Sequence, residues 1–128
     1  MNKSATGRRQ RVLVVEDEWL IASSIADDLQ AAGYDVAGPV GTVRQAAELL
    51  EAEGIDAAVL DIHLSGETSF GIADVLVSRD IPFAFSSGFS KHVIPPEHQH
   101  RTLLPKPLDT RLLLCEVAQM TDGQGQER

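Results

Sequence analysis

Cysteine is nearly absent from this sequence: Cys115 stands alone among 128 residues. A lone thiol cannot close an internal disulfide, so the chain is expected to fold uncrosslinked, as suits a reducing cytoplasm. Cys115 falls in an apolar helical stretch and reads as a small buried hydrophobe. No apolar run approaches the roughly 18 residues that a membrane span needs. Residues 1–11 carry Arg8, Arg9 and Arg11 without a following apolar segment, which excludes a secretory signal. Basic residues are also scarce, 11 Lys and Arg against 19 Asp and Glu, for a net charge of −8. A nucleic-acid binder would normally show a basic face, so no nucleic-acid partner is expected. The histidines (His63, His92, His98 and His100) lack the spacing of a zinc site and read as surface residues. What is present is ordinary: 43% hydrophobic residues, enough to bury the core of one domain.

The apolar residues are arranged in alternating short runs and helical stripes. Val12–Val15 is a continuous apolar run, as in a strand buried on both faces. Leu20, Ile21, Ser24, Ile25, Leu29 and Ala32 recur at helical spacing, with Gly33 as the stop. Residues 34–38 read as a second strand. Thr42 and Gln45 form a capping box ahead of a stripe of Val43, Ala46, Ala47 and Leu50, closed at Gly54. Ala57–Leu60 is a third strand, ending on Asp61, and a polar loop then leads to a helix carrying Ile72, Val75 and Leu76. Phe83–Ser86 is a fourth strand. Gly88, Pro95 and Pro96 break any long helix over residues 88–101. Thr102–Leu104 is a fifth strand, and Asp109 caps a last helix with Leu112, Leu113, Val117 and Met120 on one side.

Strand and helix therefore alternate about five times, which predicts an α/β fold: one doubly wound, five-stranded parallel sheet flanked by helices. The helix between the fourth and fifth strands is expected to be short or irregular. Residues 1–10 are expected to be a flexible leader, 11–121 the domain and 122–128 a flexible tail. In such sheets ligands bind beyond the carboxyl ends of the strands, at a topological switch point. The first strand ends on Glu16-Asp17, the third on Asp61, the fourth on Ser86-Ser87 and the fifth on Lys106-Pro107. Three carboxylates, one or two hydroxyls and an ammonium are thus predicted to converge on one edge. Carboxylates so placed repel one another unless a cation neutralises them, and hard oxygen ligands in octahedral geometry suit Mg²⁺.

On these residues the chain resembles the receiver domains of two-component response regulators, across roughly residues 11–121, with their flavodoxin-like fold. The resemblance implies that Glu16 and Asp17 are the acidic pair and Asp61 the phosphoacceptor. It implies that Ser87, followed by Gly88, is the switch hydroxyl, and that Lys106 precedes a cis proline, Pro107. By the same analogy the backbone carbonyl of His63 faces the metal. Phe85-Ser86-Ser87-Gly88-Phe89 is also similar to the Phe-x-Thr-Gly-aromatic signature of a receiver subgroup. That subgroup is often stand-alone and is associated with general stress signalling in alphaproteobacteria. One position departs from the wider family: Leu103 stands three residues before the lysine, where many receivers carry a rotating aromatic ring. Phe89 is a candidate substitute.

The resemblance implies a phosphoacceptor signalling protein of the cytoplasm, not a classical enzyme. A histidine kinase would donate the phosphoryl group to Asp61 with Mg²⁺ held by Glu16, Asp17, Asp61 and the His63 carbonyl, and Ser87 and Lys106 would contact phosphoryl oxygens. Output would pass through a downstream protein or a histidine phosphotransfer protein. A phosphorylation-independent adaptor and a phosphate sink are the alternatives. An aspartyl phosphatase would want a second aspartate two residues after the first, where His63 stands. A dinucleotide-binding fold would need a Gly-rich turn in place of Glu16-Asp17-Glu18-Trp19.

Overall fold

A computed structural model of the chain describes residues 9–88 and 93–125. The elements run β1 (Arg11–Val15), α1 (Trp19–Ala31), β2 (Asp35–Val40), α2 (Val43–Ala52) and β3 (Ala57–Asp61). A two-stranded hairpin (His63–Leu64 and Glu67–Thr68) follows, then α3 (Phe70–Ser78), β4 (Phe83–Ser87), a 3-10 turn (Pro96–His98), β5 (Leu103–Pro105) and α4 (Thr110–Gly125). All five main strands are parallel, in the order β2-β1-β3-β4-β5. The chain thus winds to one side of β1 for β2 and to the other side for β3 onward. Helices on opposite faces leave a crevice outside the carboxyl ends of β1 and β3.

Both faces of the sheet are covered, which is why the strands are unbroken apolar runs. Along β1, Leu13 and Val15 enter one core with Ala46 and Leu50 of α2 and Ile72 and Leu76 of α3. Val12 and Val14 enter the other, with Ile25 and Leu29 of α1 and Leu113 and Val117 of α4. Leu29 and Val117 are wholly buried; truncating such a leucine to alanine costs about 2–5 kcal/mol. The capping box opens α2, with Thr42 Oγ1 accepting from the Gln45 backbone N–H at 3.1 Å. The Gln45 side chain answers by accepting from the Gly41 N–H at 3.2 Å. Asp109 Oδ1 accepts from Arg111 N–H at 2.8 Å and so caps α4.

Five expectations from the sequence pattern are corrected, the first on α2, where Ala47 of the expected apolar stripe is exposed. On α1 the buried stripe is Ala22, Ile25, Ala26 and Leu29, and Leu20 is exposed. On α4 Leu112 faces outward, one position out of phase with Leu113, Val117 and Met120. Cys115 is exposed, because it lies two residues from both Leu113 and Val117 and so falls on the far side of the helix. His98 is buried, wedged edge-on at 6.1 Å from the rings of both Phe83 and Phe85, with Nε2 2.8 Å from Asp74 Oδ1. The last helix runs on to Gly125, past Asp122. Phe89 and His92 lie outside the described residues.

Candidate functional site

The chain leaves β1 through Glu16 and Asp17, so both acids reach the crevice directly from the sheet edge. The Glu16 N–H donates to the Val40 carbonyl at 2.8 Å, which extends the β1–β2 ladder by one step and turns the Glu16 side chain inward. Glu16 is 3% exposed. Its Oε2 accepts from the Glu18 N–H at 3.0 Å, and its Oε1 pairs with Lys106 Nζ at 3.0 Å. Asp61 is the last residue of β3, 5% exposed, with Oδ2 3.3 Å from the same Lys106 Nζ. The Lys106 N–H donates to the Ser87 carbonyl at 3.0 Å, which ties its backbone to the end of β4 beside both carboxylates; the Lys106–Pro107 peptide is cis.

Asp17 is the solvent-facing member of the set. Its Oδ2 accepts from the Ser65 N–H at 2.8 Å and from the Ser65 hydroxyl at 2.6 Å. Gly41 lies against it: a Cβ there would come within 3.2 Å of Asp17 Cα, so a side chain would push the β2–α2 loop and Asp17 apart by a few tenths of an ångström. Glu16, Asp17 and Asp61 each present an oxygen within 4.8 Å of the others.

Proton affinities follow from these surroundings. Burial is the main cause that pushes the Asp61 carboxyl up, to about 6; the Glu16 charge adds to it and Lys106 opposes it. The Ser65 hydroxyl is the main reason the Asp17 carboxyl is held below its ordinary range. Burial pulls the Lys106 ammonium down, but the hydrogen bond to Glu16 and the charges of Asp61 and Glu16 outweigh it, and the net shift is upward. The site therefore divides its charge unequally. Asp17 is a firm anion, while Asp61 is an anion held at a cost.

The donor set fits a small divalent cation. Three hard carboxylate oxygens within 4.8 Å of one another are the kind of ligand such an ion takes. The residues able to hold it are Asp17, Asp61 and Glu16. His63, two residues after Asp61, opens the hairpin with an exposed side chain and pairs with Thr68. Ser87 ends β4, buried at 2% exposure, and its neighbour Ser86 stands in register with Asp61. Ser86 is also buried, and its hydroxyl has no hydrogen-bond partner among the described residues. The structure thus brings Glu16, Asp17, Asp61 and Lys106 into one cluster and places Ser87 at the adjoining strand end. Ser65, which the sequence pattern does not single out, is part of the same cluster; Ser-Gly after Leu64 signals a turn, but not the partner of its hydroxyl.

Comparison with known proteins finds the same fold. SdrG from Sphingomonas melonis Fr1 is 37% identical, with 88% of this chain and 96% of that chain covered and a TM-score of 0.77. The BeF3-activated conformation of SdrG aligns with a TM-score of 0.73. A response regulator receiver domain protein (CheY-like) from Methanospirillum hungatei JF-1 aligns with a TM-score of 0.83 over 94% of this chain and 100% of that one, at 21% identity. The transcriptional regulatory protein PdtaR of Mycobacterium tuberculosis is 31% identical over 83 residues, which is 64% of this chain. That match spans 40% of the length of PdtaR. No family model matches the sequence.

Proposed function

Because the chain belongs to the CheY-like response regulator receiver domains, we propose that it accepts a phosphoryl group from a phosphohistidine of a histidine kinase onto a carboxylate oxygen of Asp61. The single observation that carries this reading is the placement of one ammonium, Lys106, within 3.0 Å of Glu16 and 3.3 Å of Asp61, in a cluster of three carboxylates. Phosphoryl transfer asks the protein for positioning and charge neutralisation more than for covalent chemistry. In the transfer an Asp61 oxygen bonds to phosphorus, the phosphorus–nitrogen bond breaks, and the imidazole of the donor departs with the electron pair.

Each residue has a role in that step. Asp61 must be ionised to attack, and Lys106 favours its anion against the burial that opposes it. In the product Lys106 donates to a phosphoryl oxygen, as a charge-assisted bond. The Ser87 hydroxyl, at the end of the adjoining strand, donates to another. Asp17, Asp61 and the His63 backbone carbonyl would hold Mg²⁺, with Glu16 acting through water; bound there, the ion supplies neutralisation of the incoming phosphoryl charge. Glu16 also keeps Lys106 in place, since its Oε1 is the nearer partner of the ammonium.

Signal output is proposed to pass through a partner protein, either a direct target or a histidine phosphotransfer protein. The similarity to the Phe-x-Thr-Gly-aromatic subgroup extends the proposal to general stress signalling. The test is incubation with acetyl phosphate or a phosphorylated kinase, followed by intact-mass measurement. One phosphoryl group should be added to the wild type in the presence of Mg²⁺, none after chelation, and none in Asp61→Asn. A label that survives in Asp61→Asn would show that another residue is the acceptor.

A further inference from the structure

The hairpin after Asp61 is tied to the two loops on either side of the site by bonds that the phosphoryl chemistry does not itself require. Its ladder pairs His63 with Thr68 and Leu64 with Glu67, leaving Ser65 and Gly66 as a two-residue turn with Gly66 at φ 81. In such a turn the first residue's N–H has no cross-strand acceptor. Here it goes to Asp17 Oδ2 at 2.8 Å, and the Ser65 hydroxyl reaches the same oxygen at 2.6 Å. At the other end of the hairpin, Glu67 Oε2 accepts from the N–H of Val43, the first residue of α2, at 3.0 Å. The hairpin is therefore braced between the β1–α1 loop and the start of α2, across 48 and 24 residues of sequence.

Asp17 needs such a brace. It is exposed, and its neighbours Glu16 and Asp61 are like-charged and close. An unrestrained aspartate in that position would turn toward solvent, away from the other two carboxylates. Both Ser65 bonds land on Oδ2, so they fix the carboxylate plane while Oδ1 takes neither of them. Two donors on one oxygen also drain charge from it, which weakens that oxygen as a ligand. Preorganisation outweighs the drain, because the second oxygen keeps its donor strength and the alternative is a side chain that must be drawn back from solvent against repulsion.

We propose that Ser65 is a positioning residue for the divalent cation: it holds the Asp17 carboxylate facing Glu16 and Asp61 and thereby sets the affinity and selectivity of the acidic triad for Mg²⁺. This rests on the reading of the triad as a cation site. The same bracing favours a small ion with rigid geometry over a larger, more permissive one. Ser65 lies in an exposed turn, so its replacement leaves the packed core untouched.

The test is a titration of the full chain with Mg²⁺ and separately with Ca²⁺, followed by backbone-amide NMR, on wild type, Ser65→Ala, Ser65→Thr and Asp17→Asn. Ser65→Ala should raise the Mg²⁺ dissociation constant by about three- to tenfold, the share of a charge-assisted bond that an exposed pair retains. The loss for Ca²⁺ should be smaller, and Ser65→Thr, which keeps the hydroxyl, should restore the wild-type value. Wild-type Mg²⁺ affinity in Ser65→Ala, equal losses for the two ions, or no rescue by threonine would each overturn the assignment. Asp17→Asn separates the two levels. If it leaves Mg²⁺ binding unchanged, the cation reading itself is wrong; if it weakens binding while Ser65→Ala does not, only the role of Ser65 is.

Discussion

Asp61 is buried with a carboxyl that its surroundings resist ionising, and the cost is measurable. Its pKa stands at about 6 in the folded protein against an ordinary 3.8. Below pH 4 the group is protonated whether the chain is folded or not, and it costs nothing. Between pH 4 and 6 the unfolded chain releases the proton and the folded one keeps it, so stability falls as pH rises. Above pH 6 the full penalty is present. Asp61→Asn should therefore stabilise the metal-free protein at pH 7.5 by on the order of 1–3 kcal/mol, with the gain vanishing toward pH 4. Urea melts at several pH values check this; a gain that persists at pH 4, or a loss at pH 7.5, would mean that the Lys106 ion pair outweighs burial. The opposite case is Asp17, which the Ser65 hydroxyl holds below the ordinary range. Its ionised form is favoured by folding, so no comparable gain is expected from Asp17→Asn.

At the scale of elements, the described part of the connection between β4 and β5 carries a 3-10 turn in place of a regular helix, and the buried Ile94 and His98 anchor it to the core. His98 packs between Phe83 and Phe85 of β4 and pairs with Asp74 of α3, while the Arg101 guanidinium covers the Phe83 ring at 4.5 Å. Only Ser86 separates Phe85 from Ser87, so a change at the strand end reaches His98 through one ring contact. Leu103 on β5 offers no ring to rotate and is only partly buried. Backbone response to phosphorylation is therefore expected over residues 93–101 and not around Leu103. Hydrogen exchange with beryllofluoride and Mg²⁺ should show the largest change in that segment; a response confined to β5 and α4 would sink the idea. His98→Ala, which removes a buried ring and leaves Asp74 behind, should cost about 2–4 kcal/mol in a denaturant melt and raise exchange in the same segment without phosphorylation.

The whole molecule carries a net charge of −8, and the fold gathers Glu16, Asp17 and Asp61 at one sheet edge. A ligand that binds only the folded state stabilises it by mass action. Mg²⁺ at ten times its dissociation constant should add about 1.4 kcal/mol, or about 4–8 °C in Tm for a domain of this size. Matched ionic strength from NaCl should give less, since screening is unspecific, and Asp17→Asn should remove most of the difference. Equal effects of the two salts on the wild type would show that the triad does not gather a cation.

The layered plan was legible in the chain before any folding was considered. Apolar runs that end on Asp61 or lead into Glu16-Asp17, and helical stripes between them, are local patterns, and local patterns suffice to place acids and a lysine at strand ends. Even so, local period does not fix the phase of α1 and α4 to better than one position, which is why Leu20, Leu112 and Cys115 face outward. How the residues are partnered came from the tertiary fold. Ser65 reads as an ordinary turn residue until the hairpin sets it beside Asp17, and His98 reads as a surface histidine until β4 and α3 enclose it. Glu16 and Asp17 are adjacent in sequence, yet one is buried against Lys106 and the other is exposed and held by Ser65. Hydrophobic period is written within a few residues of chain, whereas a hydrogen bond across 48 residues depends on where the whole sheet brings two loops together.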